Sequence, residues 1–85
     1  MRVKIRYFAW VRERIGRVDE DVDVPAEITT IAELVGWLTT RGPEYQHAFE
    51  KGDVIRAAID QTHAKPAAPI AGAREIAFFP PVTGG

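Results

Sequence analysis

The sequence predicts an α+β fold in which one main helix covers a mixed sheet of four or five strands. Three observations point there. Residues 2–8 and 17–24 alternate with period two, an apolar stripe of helical period follows from Thr30, and two further period-two runs occupy 55–60 and 75–79.

Taken in order, the first run places Val3, Ile5 and Tyr7 on one face and Arg2, Lys4, Arg6 and Phe8 on the other, the pattern of a half-buried strand. Ala9 to Gly16 reads as a short helical turn: Val11 and Ile15 share a side, and Gly16 suits a left-handed cap. The second strand, Arg17 to Val24, sets Val18, Val22 and Val24 inward and Arg17, Asp19, Asp21 and Asp23 outward. Paired antiparallel with the first, it would bring these aspartates beside Lys4 and Arg6. Glu13, Asp19, Glu20, Asp21 and Asp23 together read as a solvated acidic face rather than as paired catalytic carboxylates.

Thr30-Ile31-Ala32-Glu33 fits a capping box, and Ile31, Leu34, Val35 and Leu38 follow as one apolar stripe. Gly36 and Trp37 interrupt that stripe, which suggests close approach of helix to sheet with a partly exposed ring. Gly42-Pro43 ends the helix, and Pro43 opens a second short one whose Tyr45, Ala48 and Phe49 share a face. Ile55 to Asp60 forms the third strand, Gln61 to Ala64 a short edge strand, and Lys65 to Pro69 a loop. Glu75 to Phe79 is the last strand, with Ile76 and Phe78 opposite Ala77 and Phe79, and Pro80-Pro81 stops it.

Composition narrows the function classes. With 85 residues the chain should hold one small core, leaving chemistry to an edge or a terminus. Eleven basic and twelve acidic residues leave a net charge of -1, which argues against broad binding to nucleic acid or anionic membrane. The N-terminus has no continuous apolar segment, so neither a signal peptide nor a span is expected, and a cytoplasmic protein is. There is no cysteine, so no side-chain thiol can act as nucleophile or ligand. His47 and His63 lack metal-ligand spacing, and no metal site is expected.

The tail is the most chemical part of the chain. Pro80-Pro81 cannot extend a ladder and favours polyproline II, so the last six residues, Pro80 to Gly85, should form a thin arm of roughly 19 Å beyond a domain of residues 1–79. Gly84 and Gly85 carry no Cβ and would present a terminal carboxylate without shielding. Such a carboxylate, once adenylated, can lose AMP to a sulfur nucleophile and become a thiocarboxylate. Phe8 and Phe79 both have outward parity, and if their strands are parallel neighbours they form an apolar patch at the root of the arm, with Ala58 as a candidate third member.

Ala77-Phe78-Phe79-Pro80-Pro81-Val82-Thr83-Gly84-Gly85 resembles the C-terminal signature of molybdopterin synthase small subunits, and Phe8-Ala9 with Val11-Arg12-Glu13 resembles their opening. The resemblance implies a ubiquitin-like β-grasp and a sulfur carrier that is non-catalytic alone. It implies Gly85 as the site of adenylation and thiocarboxylation, with Gly84 behind it; strand parity and the extended arm, rather than the resemblance, set Phe8, Phe79, Pro80, Pro81, Val82 and Thr83 against partners. The partners implied are the synthase large subunit, in a heterotetramer with two copies of each, an ATP-dependent adenylating enzyme, and a sulfurtransferase or cysteine desulfurase. No cofactor is held by the chain itself, and ATP is used by the activating enzyme. The product would be the dithiolene of molybdopterin, made from cyclic pyranopterin monophosphate. The same chemistry would serve thiazole synthesis for thiamine, against which the Phe-Phe-Pro-Pro segment argues, and a similar tail could instead modify proteins. Two departures stand out: Asp60-Gln61 where the family usually has Asn-Gln, and His63 at a position often apolar.

Overall fold

The computed structural model describes residues 1–81. Its elements run β1 (Arg2–Tyr7), α1 (Ala9–Ile15), β2 (Asp19–Asp23), α2 (Ile31–Thr39), α3 (Pro43–Ala48), a 3-10 turn (Gly52–Val54), β3 (Arg56–Ile59), β4 (Thr62–Ala64) and β5 (Glu75–Phe79). The strands form one sheet in the order β2-β1-β5-β3-β4, with β1 and β5 parallel at its centre and the other neighbours antiparallel. This is the mixed β-grasp sheet that the periodicities and the resemblance led us to expect.

One face of the sheet is dry. Val3, Ile5 and Tyr7 of β1, Val22 of β2, Ala57 of β3, and Ile76 and Phe78 of β5 are buried with Ile31, Leu34 and Leu38 of α2 and Tyr45 and Ala48 of α3. Phe49 meets Phe78 edge to face at 5.3 Å, a geometry favoured by the quadrupoles of two rings. The helical side therefore takes α1 and α3 as well as α2; Val11 and Ile15 of α1 belong to the same core.

The caps follow the local sequence closely. Gly16 sits at φ +83° and its N–H donates to the Arg12 carbonyl at 2.8 Å, closing α1. Thr30 Oγ1 accepts from the Glu33 N–H at 3.2 Å, while the Glu33 carboxylate accepts from the Thr29 N–H at 2.7 Å, one residue earlier than the usual reciprocal bond. The next free N–H groups of α2, on Ile31 and Ala32, donate to the carbonyls of Ala68 and Pro66, so the proline-rich loop completes the cap.

Three expectations are corrected. Strand β2 is shorter than 17–24, and Val18 is 57% exposed: its carbonyl still accepts from Tyr7, but its side chain lies past the end of the ladder. The inward place it leaves is followed by Glu20, which does not belong to the solvated acidic face. Glu20 lies opposite Ile5, and its side chain is only 9% exposed. Its Oε2 accepts from the hydroxyls of Tyr7 at 2.8 Å and Tyr45 at 2.6 Å, and its Oε1 faces Arg41 at 3.2 Å. Burial alone would raise its pKa; the two hydroxyl donors and the Arg41 charge outweigh that and hold it below the usual carboxylate range. Gly36, finally, is exposed with nothing within 4 Å of an added Cβ, so it permits no close approach; it lies away from the Ile31-Leu34-Leu38 stripe. Trp37 is half-buried under the Arg41 guanidinium, 5.5 Å from its ring.

Asp60 and Gln61 both have positive φ, +48° and +71°, and form the two-residue turn between β3 and β4. The Asp60 carboxylate accepts from the Arg74 and Glu75 N–H groups at 2.9 Å each, where β5 begins. An aspartate at this position thus ties the hairpin to the strand that leads to the tail, using a residue type that tolerates the left-handed region.

Candidate functional site

The parallel pairing of β1 and β5 decides where the two chain segments of interest meet. Ile5 lies beside Ile76 and Tyr7 beside Phe78, and one step further the Phe8 N–H donates to the Phe78 carbonyl at 3.1 Å. Because Tyr7 and Phe78 point into the core, alternation turns Phe8 and Phe79 to the helix-free side. There Phe8, Ala9, Phe79, Pro80 and Pro81 line one open apolar groove. Phe8 is 36% exposed, one of the large hydrophobic side chains left to solvent among the described residues with Met1 and Val18, and Phe79 is half-buried.

Backbone geometry keeps Phe8 at the rim. Phe8 itself is extended, and Ala9, the first residue of α1, then takes φ +53°, a left-handed conformation unfavourable for a residue with a Cβ. This abrupt change lets the chain leave β1 and enter a helix without dragging Phe8 into the core. Above Phe8 lies the Arg6 guanidinium, 5.2 Å from the ring centroid, itself held by Glu75 at 3.7 Å. On the other side the His63 ring lies 6.0 Å from Phe79. Among the sequence candidates, Phe8, Phe79, Pro80 and Pro81 are thus brought together. Ala58, opposite Ala77, shares their face but lies outside the groove lining. Val82, Thr83, Gly84 and Gly85 lie outside the described residues.

Ala9, Arg6 and His63 also belong to this surface. Arg6 has the parity of Phe8 two residues later, which was a usable signal. The His63 contact depends on the β4-β3-β5 register and had no local signature. Among the described residues no group of three or more potential ligands is placed to hold a metal ion, and His47 and His63 lie on different elements. No helix among them is long and apolar enough to cross a membrane.

The profile of the ThiS family matches residues 5–85, which covers nearly all the chain and includes both walls of the groove. The chain belongs to the ThiS family. Two curated relatives, both called molybdopterin synthase sulfur carrier subunit, agree with it over almost their whole length. The Escherichia coli protein is 35% identical over 98% of this chain and 99% of its own, and the Haemophilus influenzae protein 36% identical over the same shares. The likeness read from the tail therefore extends across this ThiS-family chain. Among solved structures, SAMP1 from Haloferax volcanii matches with a TM-score of 0.76 at 26% identity, covering 100% of both chains. A Pyrococcus furiosus protein described as a putative molybdopterin converting factor, subunit 1, matches with a TM-score of 0.65 at 20% identity over 96% of this chain and 99% of its own, a likeness of fold alone.

Proposed function

We propose that this chain is the sulfur carrier subunit of a molybdopterin synthase and that it works through the Gly85 carboxylate. The observation that carries the reading is the 35% identity, over 98% of the chain, to a protein of that name. The groove at the root of the Pro80-Pro81 arm supports it, because a carrier must dock while its terminus reaches away from its own fold.

The chemistry required of the chain is small. A Gly85 carboxylate oxygen attacks the α-phosphorus of ATP on an activating enzyme, pyrophosphate leaves, and the acyl carbon becomes bound to AMP. The terminal sulfur of a persulfide on a sulfurtransferase or cysteine desulfurase then adds to that carbon and AMP leaves, giving an acyl disulfide; a thiol attacks the donor's cysteine sulfur, the S–S bond breaks, and the chain leaves as a thiocarboxylate while the donor cysteine is left in a disulfide with that thiol. Delivered to the large subunit, two such carriers in turn bond their sulfur to the pterin precursor, and water hydrolyses each acyl–sulfur bond, leaving the two dithiolene sulfurs on the product and returning the carriers as carboxylates. The fold contributes no acid or base to these steps; Gly84 and Gly85 contribute a narrow, unshielded end.

Intact-mass measurement tests this. Protein taken from its native cell should show partial exchange of one oxygen for sulfur, and one residue added after Gly85 should abolish both the exchange and the support of molybdopterin formation with purified partners. Undiminished activity of the extended, unprocessed protein overturns the reading. The likeness to SAMP1 at 26% identity favours one alternative, a protein modifier, which the same spectra would reveal as Gly85 joined to lysines of other proteins.

A further inference from the structure

The helix-free face holds more than the phenylalanine groove. In the β3-β5 ladder Arg56 lies directly opposite Phe79, and since their neighbours Ala57 and Phe78 are buried in the core, both side chains point to the helix-free side. Arg56 is exposed, and among the described residues no carboxylate lies within ion-pair distance of it. Of the acids around it, Glu75 faces Arg6 and Asp60 accepts two backbone N–H groups, both at the far end of the β3-β5 ladder, and Asp53, which lines a cavity with Arg56 from the turn before β3, lies beyond ion-pair distance of it. On α1, Arg12 and Glu13 stand one turn beyond Phe8 and Ala9 with opposite charges. His63, opposite Ala58, extends the aromatic surface of Phe79 toward β4. The result is an apolar groove with an uncompensated guanidinium on its β3 side.

Arginine beside aromatic rings is the composition enriched in the centres of protein interfaces, and one open cation beside an apolar groove selects for a carboxylate rather than for a long polyanion. A net charge of -1 argues in the same direction against nucleic acid. We infer that Arg56 and His63 belong to the docking face, and that the partner protein which fits it places a carboxylate against Arg56 next to an apolar side chain entering the Phe8-Phe79 groove. This rests on the reading of the chain as a carrier docking on a synthase large subunit. It adds a determinant that an apolar groove alone lacks: the contact has a charge sign and an orientation.

Calorimetric titration of the full chain against a purified molybdopterin synthase large subunit, at low and high salt, tests it beside a melting curve. Arg56→Gln should weaken binding about fivefold and Arg56→Glu about thirtyfold at low salt, both with a flatter salt dependence, as expected of a charge facing its opposite. Arg56→Lys should keep the salt dependence, and His63→Ala should cost about threefold without altering it. Melting temperatures should stay close to that of the parent protein. If Arg56→Glu binds as the parent does while Phe79→Ala binds weakly, the groove docks without Arg56 and this inference fails while the carrier reading stands. If Phe79→Ala and Arg56→Glu are both without effect, docking lies elsewhere and the inference also fails. If the parent chain does not bind the large subunit at all, the carrier reading itself fails, and the inference with it.

Discussion

Tyr7 and Phe8 are adjacent in sequence and opposite in circumstance. Tyr7, 1% exposed, gives its hydroxyl to Glu20 in a cluster where Tyr45 and Arg41 also meet that carboxylate, and among the described residues no buried side-chain polar atom lacks a partner. Phe8, one residue on, leaves more than a third of its surface to solvent beside Phe79, Pro80 and Pro81. The inward side of the sheet end is satisfied within the chain, and the outward side is not. With the docking proposed for the outward side, substitutions at positions one residue apart should have different readouts.

The largest effect is expected on the inward side. Glu20→Ala leaves two tyrosine hydroxyls and Arg41 without their shared acceptor, at about 1–3 kcal/mol for each buried group left unpaired, so a loss of about 3 kcal/mol is expected. In a domain of this size that lowers the melting temperature by about 12–24 °C. Sulfur loading, measured well below the new melting point, should be retained. A melting curve within a few degrees of the parent would show the cluster to be decorative.

Phe79→Ala should do the converse. Truncation of an aromatic anchor commonly costs more than about 2 kcal/mol of binding, some thirtyfold in affinity, while a half-buried ring outside the main core should change stability by less than about 1 kcal/mol. A large fall in melting temperature with unchanged affinity for the large subunit would place Phe79 with the core.

pH sharpens the comparison without mutation at the groove. Glu20 is held below the usual carboxylate range in the fold, so the unfolded chain takes up this proton first as the medium is acidified. Its contribution is complete above the ordinary value of about 4.3 and is lost as the pH falls through the lower folded value. Tyr7 behaves in the opposite sense: burial first, then its bond to Glu20, raise its hydroxyl far above the ordinary phenol range, so its contribution is complete below about 10 and is lost in more alkaline solution. Glu20→Gln should flatten the acid limb of a stability profile and Tyr7→Phe the alkaline limb. A limb unchanged in its variant would assign that limb to other groups.

The smallest effect concerns the junction. Ala9 at φ +53° carries strain that glycine does not, on the order of 1 kcal/mol, against which glycine's greater freedom in the unfolded chain costs about 0.4–1 kcal/mol. Ala9→Gly should therefore leave stability unchanged or raise it by about 0.5 kcal/mol. A loss of about 1 kcal/mol, as in an ordinary helix interior, would show that Ala9 is not strained.

The positions of β1, α1, β5, the Thr30 cap and the Gly16 cap were legible because each rests on a period or a local hydrogen-bonding habit that holds before any tertiary contact forms. So was the outward parity of Phe8 and Phe79, which becomes one groove because β1 and β5 are parallel neighbours. The fate of Glu20 was not. It shares the parity of Val22, yet four neighbouring acids suggested a uniform solvated face, and only the approach of Tyr45 and Arg41, from segments more than twenty residues away, provides the partners that make an inward carboxylate tolerable.

By itself, then, the sequence determined the alternation that divides inward from outward residues, the starts and stops of the helices, and the end of β5 at Pro80-Pro81. Tertiary structure alone decided which outward residues become one surface. Arg56 and His63 reach Phe79 through strand register across β3, β4 and β5, where a shift of one residue would send every side chain to the other face. Register is fixed by the whole core and by the Asp60-Gln61 turn, not by any one strand's own pattern, because period two is satisfied equally well at every second alignment.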